Sequence, residues 1–349
     1  MLDDTHFFLR NIWYYAMPGH KLRAGAMVGR TLLNEPILFA RQKNGDVFAI
    51  RDICPHRGIP LSSGRFDGEV VECRYHGWLF DQKGCCAEIP SLVPGQDFDI
   101  AKVRVRSYPC RELDGNIWIY MEDQPGASEP PIQDIPRVPE IGQRGYQMAE
   151  TMNFPCYVDH AVIGLMDPAH GPFVHRSWYW RNRRSIHEKA KLFGPVPHGF
   201  QMRRHKPSKN SAAYKLLGGI PETEITFRLP GVRIEHIQTG RHTLVNLTAV
   251  TPINEQETEI NHIMYWTLPW LTLGRPILRR FAKEFLAQDR DAVVEQKQGL
   301  KYDPSLMLIK DADVQARWYF QLKNEWARSQ AEGRAFVNPV KDIVLRWRS

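Results

Sequence analysis

The sequence predicts an α+β protein with two domains, and three features indicate this organisation. Short β-rich runs alternate with turn signals from about residue 38 to residue 120. A proline-rich stretch follows, and the second half of the chain has long alternating strands before a helical pattern. At 349 residues the chain is also longer than one hydrophobic core usually supports.

The first domain, predicted over residues 1–125, is a small all-β module. Its β-rich runs include residues 37–40, 47–50, 70–73 and 116–120. The pairs Asp67-Gly68 and Asp114-Gly115 are typical of tight turns between strands, because glycine adopts the backbone conformations that such turns need. The proline content of residues 126–145 predicts a stiff linker after this module.

The second domain is predicted over residues 146–349 and contains a sheet. Apolar or uncharged residues recur at every second position along two strands, at Val232, Ile234 and His236 and at Leu247 and Ala249. Such alternation is typical of strands with one buried face. It predicts an antiparallel sheet with one covered side.

Two helices are predicted after these strands. Phe281, Phe285 and Val293 recur on one face of a helix from about residue 276 to residue 300, and a last helix is expected around residues 312–328. The apolar stretch 263–274 precedes both helices. This stretch is either a buried core segment or a flap or wall over an apolar pocket.

The bulk composition is that of a soluble globular protein, with 43% hydrophobic and 24% charged residues. The N-terminus lacks the basic region and apolar run of a signal peptide, and no stretch is long and apolar enough to span a membrane. Six cysteines are too few for a disulfide scaffold. We therefore expect a cytoplasmic protein with no membrane contact.

The net charge of +7 raises the question of an acidic partner. Aromatic and basic residues alternate in the segment 178–184, but no nucleic-acid-binding motif accompanies them. We therefore expect no nucleic-acid partner. The segment is either a solvated basic face or a docking surface for an acidic electron-transfer protein.

Two short loops each pair a cysteine with a histidine at a spacing suited to metal binding. One residue lies between Cys54 and His56, and two lie between Cys73 and His76. Such a set suits a [2Fe–2S] cluster in which two thiolates bind one iron and two imidazoles bind the other. A structural zinc site is the rival interpretation, because two cysteines and two histidines also suit tetrahedral Zn²⁺.

The two loops and their spacing resemble the Rieske signature of the ring-hydroxylating oxygenase family. The segment Asn11-Ile12-Trp13-Tyr14 is also similar to that family's N-terminal segment. The resemblance implies that all four loop residues, Cys54, His56, Cys73 and His76, hold a Rieske [2Fe–2S] cluster. It also implies a Rieske β-domain followed by a helix-grip-like domain, in which an antiparallel sheet wraps around a helix.

Respiratory-type Rieske proteins are less similar to this sequence. They add a cysteine to each cluster loop and pair the two in a disulfide. The corresponding stretches here, Gly58-Ile59-Pro60 and Arg74-Tyr75, contain no cysteine. The oxygenase type of cluster, which is more exposed and has a lower potential, is therefore the better match.

A second motif explains why the chain continues beyond an electron-transfer module. The segment from Asp167 to His175 resembles the family's Asp-x-x-His-x-x-x-x-His motif residue for residue. The resemblance implies that His170 and His175 bind a mononuclear Fe(II). This chemistry uses two imidazoles and one carboxylate on one face of the metal and leaves other positions open.

The third iron ligand is expected on the predicted helix of residues 276–300, where Asp289 and Asp291 are the candidates. Asp289 lies four residues after Phe285 and four before Val293, so it shares their inward face. Asp291 points away from that face at a helical period. The residues around Asp289 are also similar to the family's third-ligand helix. We favour Asp289, and Asp291 is the alternative.

The resemblance assigns a different role to Asp167. Its counterpart in the family hydrogen-bonds an iron-ligand histidine and reaches a Rieske histidine of a neighbouring subunit. Asp167 would therefore link His170 with a cluster histidine across the interface of a homotrimer. That histidine is His76 or His56. The alternative is that Asp167 only orients His170.

One position departs from the family pattern. The family commonly has an asparagine three residues before this aspartate, where the present chain has Gly164. Some hydrogen bonds around the iron must therefore be arranged differently.

The resemblance implies a terminal oxygenase that uses O₂ and electrons from NAD(P)H. A ferredoxin, a flavin-dependent reductase or both would supply the electrons, because the chain has no Gly-rich dinucleotide motif. The expected substrate is a hydrophobic, aromatic or polycyclic small molecule that is hydroxylated or oxidatively demethylated. Trp266, Trp270 and Leu271 would line its pocket or belong to the core.

The length of the chain is closer to the homotrimeric monooxygenase and O-demethylase branch than to the α3β3 dioxygenases. Two alternatives stay open at this point. One is a dioxygenase that performs cis-dihydroxylation, and the other is a Rieske electron carrier without oxygenase activity.

Overall fold

The structure, a computed structural model, describes residues 6–126, 130–175, 186–207 and 221–349. It divides into two compact units, one of Arg10–Ile135 and the other of Met1–Leu9 with Pro136–Ser349. The boundary falls within the segment 126–145, whose described part includes two single turns of 3-10 helix, Ile132–Asp134 and Gly142–Arg144.

Two expectations from the sequence concern the basic segment and contact with a membrane. The basic segment 178–184 lies outside the described residues. Within the described ranges, no helix combines the length and the apolar character that a membrane span requires.

The described part of the unit Arg10–Ile135 forms three antiparallel sheets. Their strand orders are β1-β11-β10, β2-β3-β4-β9 and β5-β6-β7-β8. The strands are β1 (Ile12–Pro18), β2 (Met27–Leu32), β3 (Glu35–Arg41), β4 (Val47–Arg51), β5 (Arg65–Phe66), β6 (Val71–Glu72), β7 (Leu79–Phe80), β8 (Cys86–Glu88), β9 (Ser107–Tyr108), β10 (Cys110–Leu113) and β11 (Asn116–Met121). Short turns join them, as in the hairpin of β10 and β11, where Asp114 and Gly115 have φ of 53° and 77°.

The core of this β module contains both cysteines of the predicted cluster. Cys54 and Cys73 are each 2% exposed and pack in one hydrophobic cluster with Leu38, Ile50 and Phe80. The cluster loops are thus anchored in the core at their cysteines, which fixes where their histidines emerge.

The second unit has an eight-stranded antiparallel sheet in the order β12-β18-β17-β16-β15-β14-β13-β19. The strands are β12 (Met148–Phe154), β13 (Glu188–Val196), β14 (Gly199–His205), β15 (Glu222–Arg228), β16 (Val232–Thr239), β17 (His242–Pro252), β18 (Thr258–Trp266) and β19 (Ile343–Arg348). The described helices are α1 (Val158–Met166), α2 (Gly171–Val174), α3 (Pro269–Leu273), α4 (Arg275–Leu300) and α5 (Val314–Ala331).

The predicted α+β class is confirmed, with a β domain followed by an antiparallel sheet that packs against helices. The helix expected at residues 276–300 is α4 (Arg275–Leu300), and the one expected at residues 312–328 is α5 (Val314–Ala331). The apolar stretch 263–274 is not one element. It is divided between the end of β18 and α3, because Pro269 is suited to the first turn of a helix and not to a central strand.

The prediction of one covered side is wrong for the central strands. Val232 and Ile234 of β16 are buried on one face, and Arg233 and Glu235 line a cavity on the opposite face. Both faces are therefore covered. The apolar alternation identifies only the closely packed face of the sheet. The opposite face is a cavity wall with polar side chains, so it does not show the apolar pattern of a packed surface.

A buried ion pair joins α1 to α5. The Lys323 ammonium donates to the two carboxylate oxygens of Asp159 at 2.9 and 2.7 Å, and the Tyr319 hydroxyl donates to the same carboxylate at 2.5 Å. Burial lowers the pKa of Lys323, and the carboxylate of Asp159 opposes that shift. The pair holds the helix that leads into the segment with Asp167 and His170.

We expect Asp159→Ala to lower the free energy of unfolding by about 3–5 kcal/mol, because it leaves the ammonium of Lys323 buried without a counter-ion. Urea unfolding followed by circular dichroism measures the change. The double variant Asp159→Leu/Lys323→Met removes both charges and should recover most of the loss. A single variant as stable as the parent protein would contradict this role of the pair.

Candidate metal centres and substrate cavity

The first cluster loop follows β4 and closes on itself through its main chain. The amide of Cys54 donates to the carbonyl of Ile59 at 2.8 Å, and the amide of Gly58 donates to the carbonyl of Cys54 at 2.9 Å. Gly58 has φ of 74°, a conformation that glycine adopts without strain. The tight loop turns His56 outward from the buried cysteine.

The second cluster loop, between β6 and β7, repeats this arrangement. The amide of Cys73 donates to the carbonyl of Trp78, and the amide of Gly77 donates to the carbonyl of Cys73, each at 2.9 Å. Gly77 has φ of 72°. The same local geometry therefore presents a cysteine and a histidine from each of two loops, as the sequence spacing predicts.

The four side chains form a cysteine pair and a histidine pair. Burial raises the pKa of the Cys54 thiol, and the neighbouring thiol of Cys73 raises it further. The rings of His56 and His76 lie with their centroids 4.4 Å apart. Thiols are thus grouped with thiols and imidazoles with imidazoles.

The histidine side of this site has an unsatisfied nitrogen. His56 Nδ1 is buried and has no hydrogen-bond partner among the described residues, although its ring stacks on Trp78 at 4.7 Å. A buried polar atom without a partner is costly. Coordination of a metal through this nitrogen would remove the cost, so the residues fit a cluster.

The pairing also bears on the rival zinc interpretation. Within the described part of the chain, only His170, His175 and Asp289 form a set of three or more metal-ligand side chains with donor atoms within 4.8 Å of one another. The cysteine and histidine pairs therefore do not converge on one point as the four ligands of a single tetrahedral zinc ion do. Their arrangement fits a cluster with two irons better.

The second centre brings together residues from two distant segments. His170 and His175 flank the short helix α2, and Asp289 comes from α4. His170 Nε2 lies 3.1 Å from His175 Nε2, and Asp289 Oδ1 lies 3.6 Å and 3.4 Å from these two nitrogens. Donors about 2.1 Å from one ion and at right angles to one another are roughly 3 Å apart, so this triangle fits a single metal.

Each histidine of this triangle is oriented through its other nitrogen. In the tautomer that leaves Nε2 free for a metal, Nδ1–H of His170 donates to the main-chain carbonyl of Asp167 at 2.7 Å. Nδ1–H of His175 donates to Gln288 Oε1 at 3.2 Å, and its ring stacks on Phe285 with centroids 3.5 Å apart. The imidazoles are therefore held in the orientation that metal binding needs.

The surroundings favour a cation between these donors. Burial, followed by the charge of His170, lowers the pKa of His175 to about 3, so its imidazole is neutral at pH 7. Burial raises the pKa of Asp289 to about 6. A carboxylate that burial disfavours becomes favourable when a divalent ion lies beside it.

Asp291 lies elsewhere. Its side chain is 66% exposed and its carboxylate pairs with Arg290 at 3.0 Å. Asp289 is 25% exposed and lies beside both histidines. The structure thus brings Asp289, and not Asp291, to His170 and His175.

Asp167 stands next to the triangle without joining it. Its Oδ1 accepts a hydrogen bond from the amide of Ala169 at 2.7 Å, and its Oδ2 lies 3.8 Å from His170 Nδ1. The main chain of Asp167, and not its carboxylate, orients His170. The carboxylate is 32% exposed.

A cavity of about 710 Å³ adjoins the three side chains. This volume is within the range of pockets that take drug-sized ligands. One wall is α4, and its apolar lining includes Leu278, Phe281, Ala282, Phe285 and Leu286. Of the proposed pocket residues, Trp270 and Leu271 line the cavity, whereas Trp266 belongs to the hydrophobic core.

Gly164 also lines the cavity. A Cβ added at this position would meet nothing within 4 Å among the described residues. Where the family commonly has an asparagine, this chain therefore has open space beside Asp167.

Sequence reasoning did not identify the polar wall of the cavity or the role of Gln288. The wall comprises Arg233, Glu235, Asn246, Thr248 and His262 on β16, β17 and β18. The polar residues at every second position of these strands were a signal, but their meaning depends on which face of the sheet the helices cover.

Comparison with known proteins agrees with this geometry. Residues 12–109 match the Rieske [2Fe–2S] domain family. The oxygenase component of dicamba O-demethylase from Stenotrophomonas maltophilia is 37% identical over 174 residues, which are 49% of this chain and 48% of that protein. The iron–sulfur subunit of a toluene-4-sulfonate monooxygenase system from Comamonas testosteroni is 36% identical over 170 residues, which are 48% of this chain and 47% of that protein.

The segment 12–109 is therefore similar to a Rieske [2Fe–2S] domain, and the two curated relatives are an oxygenase component and an iron–sulfur subunit. The chain spans about half the length of the two curated relatives. A crystal structure of dicamba monooxygenase bound to dicamba has the same fold, with a TM-score of 0.74, 22% identity and coverage of 94% of this chain and 100% of that chain.

The hydrogen bond from His175 to Gln288 leads to a prediction about metal binding. We expect Gln288→Leu to weaken Fe(II) binding about 10- to 100-fold, because His175 loses the partner that fixes its tautomer and orientation. Titration of the iron-depleted protein with Fe(II) measures the affinity. Gln296→Leu, an exposed position on the same helix, is the matched control and should leave the affinity unchanged. Equal effects in the two variants would exclude a specific role for Gln288.

Proposed function

We propose that this protein is the terminal oxygenase of a multicomponent system. It uses O₂ and electrons from NAD(P)H to hydroxylate or oxidatively demethylate a hydrophobic small molecule of the aromatic or polycyclic class. The observation that carries the proposal is the triangle of donor atoms 3.1–3.6 Å apart at the wall of a 710 Å³ cavity, in a chain that also has a Rieske domain.

The proposed ligand sets follow from the two sites. Cys54, His56, Cys73 and His76 hold the [2Fe–2S] cluster, and His170, His175 and Asp289 hold the mononuclear iron. When bound, the cluster supplies single electrons and the iron supplies O₂ activation. His170 and His175 supply imidazole donors that their Nδ1 partners orient. The apolar lining from α4 excludes water around the substrate.

Asp167 is the proposed link between subunits. Its carboxylate is partly exposed and lies beside His170, so it is accessible to a histidine from another chain. In a homotrimer with head-to-tail contacts, Asp167 would connect His170 with His76 or His56 of the neighbouring subunit. Such a link supports electron transfer between chains, and Asp167 is then a positioning residue in the electron path.

The proposed partners are a ferredoxin, a flavin-dependent NAD(P)H reductase, or both, in the cytoplasm. The sequence has no Gly-rich dinucleotide motif that would allow the chain to accept hydride itself. Both dicamba O-demethylase and the toluene-4-sulfonate protein are described as one component or subunit of a larger system. We therefore propose that separate proteins supply the electrons.

Metal analysis of the purified protein tests the proposal before any substrate is known. We expect about three irons and about two sulfides per chain, from one cluster and one mononuclear site. About two irons with a Rieske spectrum would indicate an electron carrier without an oxygenase site. A colourless protein with zinc and no iron would indicate a zinc-stabilised binding module.

A substrate screen then tests the reaction. The protein is combined with a surrogate ferredoxin, a reductase and NADH, and methoxylated, aromatic and polycyclic compounds are offered under ¹⁸O₂. Hydroxylation should place one ¹⁸O atom in the organic product. Oxidative demethylation should release formaldehyde from a methoxy group. Two ¹⁸O atoms in a cis-diol would contradict the monooxygenase proposal and indicate the dioxygenase alternative.

A further inference from the structure

A strip of polar side chains crosses the sheet wall of the cavity. This polar strip consists of Arg233, Glu235, Asn246, Thr248 and His262, all of which line the cavity. Strand register explains why they lie together: Arg233 pairs with Thr248 and Thr248 with His262, while Glu235 pairs with Asn246. Paired residues of adjacent strands point to the same face of a sheet.

The polar strip carries no net charge at neutral pH. Arg233 Nη1 lies 3.4 Å from Glu235 Oε2, so their charges offset one another. Burial lowers the pKa of His262 to about 4, and the neutral ring has its Nδ1 2.9 Å from Thr248 Oγ1. The side-chain oxygen of Asn246 has no hydrogen-bond partner among the described residues. The strip thus offers hydrogen-bonding capacity without a free charge.

The polar strip and Asp289 line the same cavity. One end of this cavity is apolar, because Leu244 and Leu271 of the core cluster line it together with Leu278. Leu278 and Asp289 are eleven residues apart on α4, which corresponds to about 16 Å along the helix.

We propose that the polar strip binds an uncharged hydrogen-bonding group, such as a hydroxyl, carbonyl or amide, of an elongated amphipathic substrate. The apolar body of that substrate lies along α4 toward Leu271 and Leu278. This inference rests on the proposed function and deepens it, because a polar group held by the polar strip determines which carbon of the substrate faces the iron site.

The electrostatics of the cavity argue against an anion at this position. A carboxylate bound to Arg233 would also approach Glu235, and a buried charge without its own partner is costly. Lys189 and Lys191 also line the cavity, but they lie on β13, three strands from β16. At about 4.8 Å per strand that is roughly 14 Å away. An anionic substrate would therefore bind at the lysines and not at the polar strip.

Matched probes distinguish these possibilities. The dissociation constants of 4′-methoxybiphenyl-4-ol and 4′-methoxybiphenyl-4-carboxylate are measured by calorimetry on the oxidised holoprotein without reductant, so that no turnover occurs. We expect the uncharged phenol to bind about tenfold more tightly, a difference that one or two hydrogen bonds produce. Tighter binding of the carboxylate, or no measurable binding of either probe at about 1 mM, would overturn the inference.

Two variants locate the binding group. Asn246→Leu should weaken binding of the phenol about tenfold and leave binding of 4-methoxybiphenyl, which lacks the hydroxyl, unchanged or tighter. Thr248→Val provides a second, smaller change if the first variant does not fold, and the Rieske spectrum reports on folding. Lys191→Met is the control and should not change the affinity for the phenol. An equal loss for both probes in Asn246→Leu would contradict a specific polar contact.

The outcomes separate this inference from the proposed function. Selective binding of the phenol by a protein that contains no mononuclear iron would contradict the proposed oxygenase and support the polar strip as a binding site. Oxygenation of substrates by a protein without selectivity for the phenol would support the proposed function and contradict the polar strip.

Discussion

Asp289→Ala is expected to remove the mononuclear iron and to leave the brown Rieske chromophore unchanged. Asp289 Oδ1 lies 3.6 Å from His170 Nε2 and 3.4 Å from His175 Nε2, so the variant loses the carboxylate of this donor triangle. Two neutral imidazoles hold a divalent ion far more weakly than two imidazoles and a carboxylate. Iron should fall from about three to about two per chain, and turnover by more than about a hundredfold.

Asp291→Ala is the matched control on the same helix. Its carboxylate is 66% exposed and pairs with Arg290, so its removal should change neither iron content nor turnover. Elemental analysis, sulfide analysis and the visible spectrum are measured on both variants. Loss of the Rieske spectrum in Asp289→Ala would contradict the assignment of two separate metal centres. Loss of iron in Asp291→Ala alone would reverse the choice between the two aspartates.

Cys73→Ser is expected to abolish the [2Fe–2S] cluster and with it all NADH-dependent turnover. Cys73 is 2% exposed and anchored by the hydrogen bonds of its loop, so a serine would occupy the same place with a hydroxyl that does not replace a thiolate ligand. The protein should lose its colour and about two irons per chain and retain the mononuclear site. Turnover should fall below detection, because electrons no longer reach the iron.

Cys86→Ala is the control for this variant. Cys86 is buried in the same hydrophobic cluster as Cys73 and carries no histidine companion, so its loss should leave the spectrum intact. A Cys73→Ser protein that keeps its cluster would contradict the ligand assignment. Equal loss of colour in both variants would indicate that the core, and not the thiolate, determines cluster binding.

The variants Asp289→Ala and Cys73→Ser together test the proposed trimer. Each retains the centre that the other lacks, and random co-assembly pairs an intact cluster with an intact iron site across about one interface in four. We therefore expect co-expressed Asp289→Ala and Cys73→Ser chains to recover about a quarter of parental turnover. Co-expressed chains without activity would contradict electron transfer between subunits.

The sequence already indicates the proposed cluster site because the determinants of this site are local. Cys54 and His56 lie in one turn, and Cys73 and His76 lie in another, so short-range backbone geometry already orients each pair. The glycines after the histidines have positive φ, a requirement that the sequence reveals directly. The helix of residues 275–300 was predictable for a similar reason, since its apolar period is a property of neighbouring residues.

The proposed iron site depends on tertiary structure. Asp289 is more than a hundred residues from His175, and the helical period only indicates that it shares a face with Phe285. Packing of α4 against the sheet brings that face to the histidines, with Phe285 stacked on His175 and Gln288 bonded to it. The helical pattern alone favoured Asp289 over Asp291, and packing decided which carboxylate lies beside the histidines.

The cavity wall was beyond the reach of the sequence. Alternation along β16 identified a buried face with Val232 and Ile234. The polar residues of the opposite face, Arg233 and Glu235, do not by themselves show that this face lines a cavity. A period of two distinguishes the two faces of a strand but does not say what covers either one. The sequence by itself indicated the fold class through local pattern, and it indicated the candidate metal-binding residues through spacing and the resemblance of their motifs to a known family. Tertiary packing brought the favoured Asp289 to the two histidines and formed the polar wall of the cavity, because both require contacts between segments far apart in the chain.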